Sequence, residues 1–371
     1  SVSEVRNTMK LKNLSIIMLS LLLGIAICRP AAAGETNLFG HFSLSPNTVP
    51  RIDELSLSTA YGPLTLNVGR QELSFGPGKI GNMVLGPRTG LDAIEFAVTF
   101  KWLQYRQFWA LLDRVSDKRL FGHRLEIYAG AVTLGFSEIA LLIGDIPLVF
   151  YNPLPIPYLV TQALFLHNGS GISNSQANMV LGIDIKWQSY EGLDLYGEFL
   201  VDDYPLTVPA AAPMRTGGLV GLVYRGLPVG ELTVEYARIN RYTYCHTTAD
   251  TDYVFLGKSL GHWAGPDTDL LTVKYSWDVA KKLTLAPSLT LQRHGEGDFG
   301  DRWQREDGPS PIFLSGEIED SVGLKMDVAY RMSDYAVLSG YLGGTVHCLV
   351  GIEEAIWRTS GTFGVELHVQ F

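Results

Sequence analysis

Charge is scarce in this chain. Only 18% of its 371 residues are Asp, Glu, Lys or Arg, below the roughly 25% usual in soluble domains. Cysteine is scarcer still: three residues, too few for a disulfide scaffold. No Cys-x-x-Cys or His-Glu-x-x-His run occurs, and the histidines are scattered (41, 123, 167, 246, 262, 294, 347, 368), so no metal site is expected. Gly78-Lys79-Ile80 lacks the Ser/Thr ending of a phosphate-cradling loop. Beyond the N-terminal region there is no run of about 18 apolar residues, which excludes a helical membrane span. Internal repeats and low-complexity tracts are missing too, so residues 34–371 read as one domain. Neither a cofactor nor a catalytic residue is implied.

What is present begins with a leader. Lys10 and Lys12 precede an apolar stretch from Leu14 to Cys28 and a small-residue exit at Ala31-Ala32-Ala33, the pattern of a secretory signal peptide over 1–33 with its true start at Met9. Ile27 and Arg29 around Cys28 speak against lipidation. Removing the leader takes away four Lys/Arg and one Glu, which moves the net charge from −9 to −12. Nucleic acid is not expected as a partner of so acidic a chain.

The exported part alternates. Phe363, Val365, Leu367, Val369 and Phe371 are separated by Gly364, Glu366, His368 and Gln370, and the chain stops there. The same period of two runs through Ile94–Phe100, Leu181–Trp187, Leu193–Val201, Leu271–Trp277, Leu283–Leu291 and Val322–Tyr330. Such strands have one apolar and one polar face. Short links (Tyr61-Gly62, Lys101-Trp102, Ala129-Gly130, 188–191, 226–230, 278–281, 331–334) alternate with long segments (71–91, 113–120, 143–176, 202–216, 242–267, 294–318, 349–359). Short turns at one end and long loops at the other specify an all-β, transmembrane antiparallel barrel of the bacterial outer membrane. The count is about sixteen strands, with 14–18 allowed. Trp187, Trp277 and Tyr330 fall where strands meet turns and suit an interfacial aromatic girdle.

Four constellations stand out. Gly76-Pro77-Gly78 reads as a tight turn in the first long loop. The longest loop, 143–176, holds Tyr151-Asn152-Pro153-Leu154-Pro155-Ile156-Pro157-Tyr158 and an apolar run; it is expected to fold into the lumen or pack on the rim. Asp194, Glu198 and Asp202 share one strand face, with Asp203 following, a ladder able to meet cations or sugar hydroxyls, or to stay solvated with cross-strand ion pairs. Tyr253, Phe255, His262, Trp263, Phe299 and Trp303 sit among polar groups in the loops, as sugar-stacking aromatics do, or as loop-on-loop packing.

The order GRQELSFGPGKIGNMVLG (69–86), YNPLPIPY (151–158), NMVLGIDIKW (178–187) and LDLYGEFLVDDY (193–204) resembles capsule assembly proteins of the Wzi type. That resemblance implies an outer-membrane, lectin-like barrel that holds capsular or exopolysaccharide without enzymatic activity. The shorter chain here implies fewer strands than the larger capsule lectins and no sizeable helical plug. Arg302 and Arg305, or Arg238 and Arg241, would have to offset the charge of an anionic capsule. The candidate binding residues are Gly76, Pro77, Gly78, Asn152, Pro153, Asp194, Glu198, Asp202, Asp203, Trp263, Arg302, Trp303 and Arg305. Expected partners are outer-membrane lipid, surface polysaccharide and, through terminal Phe371, the outer-membrane assembly machinery. A diffusion porin for small hydrophilic solutes or sugars is the alternative; a membrane-embedded hydrolase is a third reading. Pairing of Cys245 with Cys348, both placed near the long-loop ends of strands, is left open.

Overall fold

The structure, a computed structural model, describes residues 35–44, 51–86, 90–153, 155–158, 160–161, 176–188, 191–202, 213–304, 313–334, 336–350 and 355–370. The leader, Asp203, Arg305 and Phe371 lie outside the described residues.

The strands are β1 (Glu35–Leu44), β2 (Arg51–Tyr61), β3 (Leu64–Gln71), β4 (Leu91–Thr99), β5 (Leu103–Asp113), β6 (Lys118–Ala129) and β7 (Val132–Ile143). There follow β8 (Ala177–Gln188), β9 (Leu193–Asp202), β10 (Thr216–Tyr224), β11 (Glu231–Ile239), β12 (Val254–Phe255) and β13 (Lys258–Ser259). The last are β14 (Thr268–Ala280), β15 (Leu283–His294), β16 (Ile318–Ser333), β17 (Ala336–Val350) and β18 (Ala355–Gln370). Sixteen of them form one closed antiparallel barrel in chain order. The small hairpin β12–β13 stands apart, so β11 pairs directly with β14. Closure comes from β1 against β18, with Phe39 opposite Gln370 and Leu44 opposite Val365. A closed barrel leaves no unpaired edge, the condition for strands to cross a bilayer.

The alternation in sequence becomes two faces. Along β9, Asp194, Tyr196, Glu198, Leu200 and Asp202 are buried toward the lumen, while Leu195 and Phe199 are exposed on the outside. Ile94, Ile183, Ile185, Leu271, Leu289, Leu324, Leu342 and Phe363 continue the exposed apolar surface around the barrel. A belt of this extent is far larger than a soluble monomer exposes and matches the hydrocarbon of a membrane. At the short-turn end Tyr61, Phe100, Trp102, Trp187 and Tyr330 are exposed, forming the girdle. The expected strand count and the short turns appear. The β12–β13 hairpin, two residues per strand inside a long loop, was not anticipated because its alternation is too short to register.

The lipid-facing assignment predicts the effect of a buried charge. Leu324 lies in the middle of β16 and is 64% exposed; Leu324→Arg should destabilise the barrel in vesicles by about 2–4 kcal/mol. Urea unfolding followed by tryptophan fluorescence measures it, and an unchanged midpoint would contradict the assignment.

Candidate functional site

The long-loop end is where polar side chains converge. The first long loop turns inward and fills the lumen beside β4–β11. Its Phe75 ring meets Phe108 of β5 edge-on, centroids 5.5 Å apart, and lies under the Arg106 guanidinium. Phe75 N–H donates to Leu85 carbonyl at 2.9 Å, closing the loop on itself.

Two lumen carboxylates hold the backbone between them. Glu198 of β9 accepts from Gly78 N–H at 2.8 Å and from Met83 N–H at 2.7 Å. Glu235 of β11 accepts from the N–H groups of Lys79, Ile80 and Gly81 at 2.8, 3.2 and 3.0 Å. Tyr196 reaches across β10 to donate to Glu235 at 2.8 Å, and it can do so because Gly221 beneath it has no side chain: a Cβ there would lie 2.4 Å from the Tyr196 hydroxyl. Hydrogen bonds to these buried side-chain acceptors fix irregular backbone that regular structure cannot satisfy. Gly76 has φ of +132°, and a Cβ on it would fall 2.2 Å from Glu198 Oε1. The Gly-Pro-Gly segment is therefore shaped for close approach to Glu198, beyond the plain turn its sequence suggested.

A second layer closes over this plug. Tyr244 donates to Met83 carbonyl at 2.6 Å and Tyr253 to Val84 carbonyl at 2.9 Å. Gly86 N–H donates to Leu260 carbonyl at 2.9 Å. Asp202 accepts from Tyr244 N–H at 2.5 Å. Burial raises both loop phenols above their ordinary range, so they remain neutral donors. The loop 240–267 then crosses the mouth: Lys118 of β6 reaches Asp252 and Val254 carbonyls, and Asn178 of β8 reaches Thr251 carbonyl at 3.0 Å. Asp267 fastens the next loop by accepting from Gly297 N–H and from both N–H and hydroxyl of Ser315.

The longest loop behaves differently from either expectation. The described residues of 144–161 lie on the outside of the barrel, against the outward faces of β5–β8. A single 3-10 turn, Leu148–Tyr151, puts Phe150 and Tyr151 against outward Phe121. Gln107, also outward, donates to Asn152 carbonyl at 2.8 Å. The segment up to Tyr158 is held by the wall rather than by the lumen, and the apolar run 159–166 falls almost wholly outside the described residues. The reason lies in β5–β7, whose outward faces present Gln107, His123 and Glu138, groups that need partners.

Of the candidate residues, Gly76, Pro77, Gly78, Glu198 and Asp202 come together in the plug. The carboxylate ladder is neither solvated nor open: Glu198 and Asp202 hold loop backbone, and Asp194 pairs with Lys186 and Arg225 at 3.5 and 3.2 Å. Asn152 and Pro153 stand apart on the outer wall. Trp263 packs against the loop core and stacks on His262, centroids 5.6 Å apart. Tyr253 and His262 are fully buried and Phe255 and Phe299 lean on the same core, so most of the loop aromatics pack loop on loop. Arg302 is paired with Asp252 at 2.8 Å, and Trp303 beside it is half-buried at the mouth. Arg241 pairs with Asp301, and Arg238 lies over Phe313. Cys245 and Cys348 are free thiols. Glu235, Tyr244 and Asp267 were missed by sequence reasoning. For Glu235 a signal existed: Thr233 and Glu235 alternate with Leu232, Val234 and Tyr236, as in the neighbouring ladder.

The fold and the lipid-facing belt define a class: an outer-membrane β-barrel protein with an inward-folded loop plug. No family model matches the chain, and no curated protein does. Among solved structures it is similar to Wzi of Escherichia coli, an outer-membrane protein involved in group 1 capsule assembly and a carbohydrate-binding β-barrel. The TM-score is 0.58 at 13% identity, covering 91% of this chain and 84% of that one. Looser matches include Pseudomonas aeruginosa OccK10 (TM-score 0.46, 9% identity, 91% and 98% covered) and mutants of the Rh. blastica porin (TM-score 0.39 and 12% identity for one, 91% and 100% covered). At these identities the likeness is one of fold.

Two outcomes follow. Glu198→Ala combined with Glu235→Ala strips the acceptors from five loop amides, each worth about 1–3 kcal/mol when left buried and unpaired. Amide exchange over 78–83 should quicken by at least about tenfold while barrel amides stay protected, and conductance in planar bilayers should rise. Separately, burial pushes the Cys245 thiol up to about 12 from an ordinary value near 9. At pH 8 its thiolate fraction is then about a thousandfold below that of an exposed thiol, so maleimide should label it only after unfolding.

Proposed function

We propose that this barrel binds surface polysaccharide at its extracellular mouth and carries out no chemistry on it. The observation that carries the reading is the plug: five amides of the first loop bound by Glu198 and Glu235, with the 240–267 loop crossing above. A barrel of this width would otherwise hold an aqueous channel, and an internal loop secured by side-chain hydrogen bonds suits a rigid platform better than a diffusion path. The carbohydrate-binding barrel of similar fold lends support, as does the resemblance of the short-motif order to that of capsule assembly proteins. Trp303, half-buried beside Arg302 at the mouth, offers an aromatic face and a cation to a sugar acid.

The porin reading keeps one supporting observation. The lumen face of β14–β17 carries Lys274, Lys325 and Asp327 in an ion-paired cluster, Lys274 and Lys325 lying 3.0 and 2.7 Å from Asp327. It is a polar wall away from the plug.

The experiment is retention of purified surface polysaccharide by the detergent-solubilised barrel, run beside planar-bilayer conductance. Binding without steady conductance is expected, and Trp303→Ala should weaken it by about tenfold, the loss typical of one stacked aromatic. Steady conductance with no retention would replace the lectin reading by the porin one.

A further inference from the structure

Ionisable groups on a lipid-facing wall are costly, and where they occur they point to function. Here two sit side by side. Side chains alternate, and Arg106, Arg124 and Gly182 face the lumen, so Tyr105, Gln107, His123 and Glu138 face out. Lumen assignment is fixed by contact: Arg124 donates to Asp184 at 2.6 Å, and a Cβ on Gly182 would strike plug residue Val84. Glu138 stands six residues up β7 from Val132, about 15 Å above the short-turn end for a strand tilted about 40°. That height is in the outer-leaflet half of an apolar band about 25 Å tall.

The strap over this wall satisfies part of the cluster. Tyr158 N–H donates to Glu138 Oε2 at 2.7 Å, and His123 Nε2 lies 3.0 Å from the same oxygen. Tyr105 donates to Gln107 Oε1 at 2.6 Å, and the Tyr158 ring covers the His123 ring at 4.6 Å. His123 Nδ1 is buried with no hydrogen-bond partner among the described residues. Beside these groups, between strap and wall, lies a cavity of about 490 Å³. Its walls are Leu125, Phe136, Leu181 and Ile183 from the barrel with Pro155 and Pro157 from the strap, and Tyr105, His123 and Glu138 stand at its polar part. The volume is that of a small-ligand site, apolar with a few convergent polar groups.

We propose that this cleft takes one long acyl chain of an outer-leaflet membrane lipid. Two observations converge on this occupant. The cleft opens among Phe136, Ile183 and Phe199, which are exposed to the hydrocarbon. Its apolar lining matches a methylene chain, and hydrocarbon is what surrounds it. Hydrolysis of the chain is not part of the proposal. Ser137 is turned into the lumen, where Arg124 donates to it at 2.7 Å, and among the described residues neither a cysteine thiol nor another serine lines the cleft.

The test places the barrel in phosphatidylcholine vesicles containing a phospholipid with a diazirine on one acyl chain, followed by irradiation and peptide mapping. Crosslinks are expected on the strap around Pro155–Tyr158 and on His123 or Glu138, in addition to general labelling of exposed belt residues such as Leu324 and Leu342. Filling the cleft with Leu181→Trp, or independently with Val201→Phe, should abolish the strap and His123 crosslinks and leave belt labelling unchanged. Belt labelling alone in the parent protein would overturn the proposal. So would strap labelling that survives both substitutions in folded, heat-modifiable barrels, since that signal would come from annular contact.

Discussion

Five backbone amides aimed at two buried carboxylates organise the long-loop half of the molecule. A loop that leaves a strand and re-enters the lumen carries N–H groups with no ladder to join. Glu198 and Glu235 supply the acceptors, one strand apart on either side of β10. Because those carboxylates belong to the wall, the loop is registered to the barrel rather than merely confined in it. Everything stacked above inherits that register: Tyr244 and Tyr253 find the Met83 and Val84 carbonyls only because the loop beneath is fixed. The 240–267 loop, so anchored, can extend to β6 and β8 on the other side of the mouth.

The outer wall solves a related problem by the opposite route. Gln107, His123 and Glu138 interrupt a face that should be apolar, and leaving them to lipid would cost free energy. The strap brings a backbone N–H, a carbonyl and a phenol to them, and in return its own aromatic residues gain Phe121 and the surrounding wall as a surface to pack on. Plug and strap thus use one principle twice: loop backbone is positioned by side chains that project from strands, inward in one case and outward in the other. Rigid strands set those side chains far more accurately than a loop could set itself.

The barrel itself was legible in the sequence. A period of two repeated along the chain, short links on one side and long ones on the other leave little freedom, because a bilayer tolerates only closed hydrogen-bonded strands. The loops were legible only in part. Gly76-Pro77-Gly78 announced unusual backbone but not its partner, since Glu198 lies 120 residues further on. The ladder at Asp194, Glu198 and Asp202 announced a polar lumen face but not that loop amides would cover it. The segment from Tyr151 to Tyr158 announced a packed loop, yet inside and outside of a barrel both offer surfaces to pack on.

By itself the sequence determined which residues face lipid, where the chain turns and which compartment it inhabits, because strand alternation and hydrophobic burial are local properties read residue by residue. Only the tertiary structure decided which loop enters the lumen and which clasps the wall. That choice rests on contacts between segments far apart in the chain: Gly78 with Glu198, Lys79 with Glu235, Tyr158 with Glu138. Their energies depend on which donors and acceptors barrel closure brings within about 3 Å, and no local pattern encodes that distance.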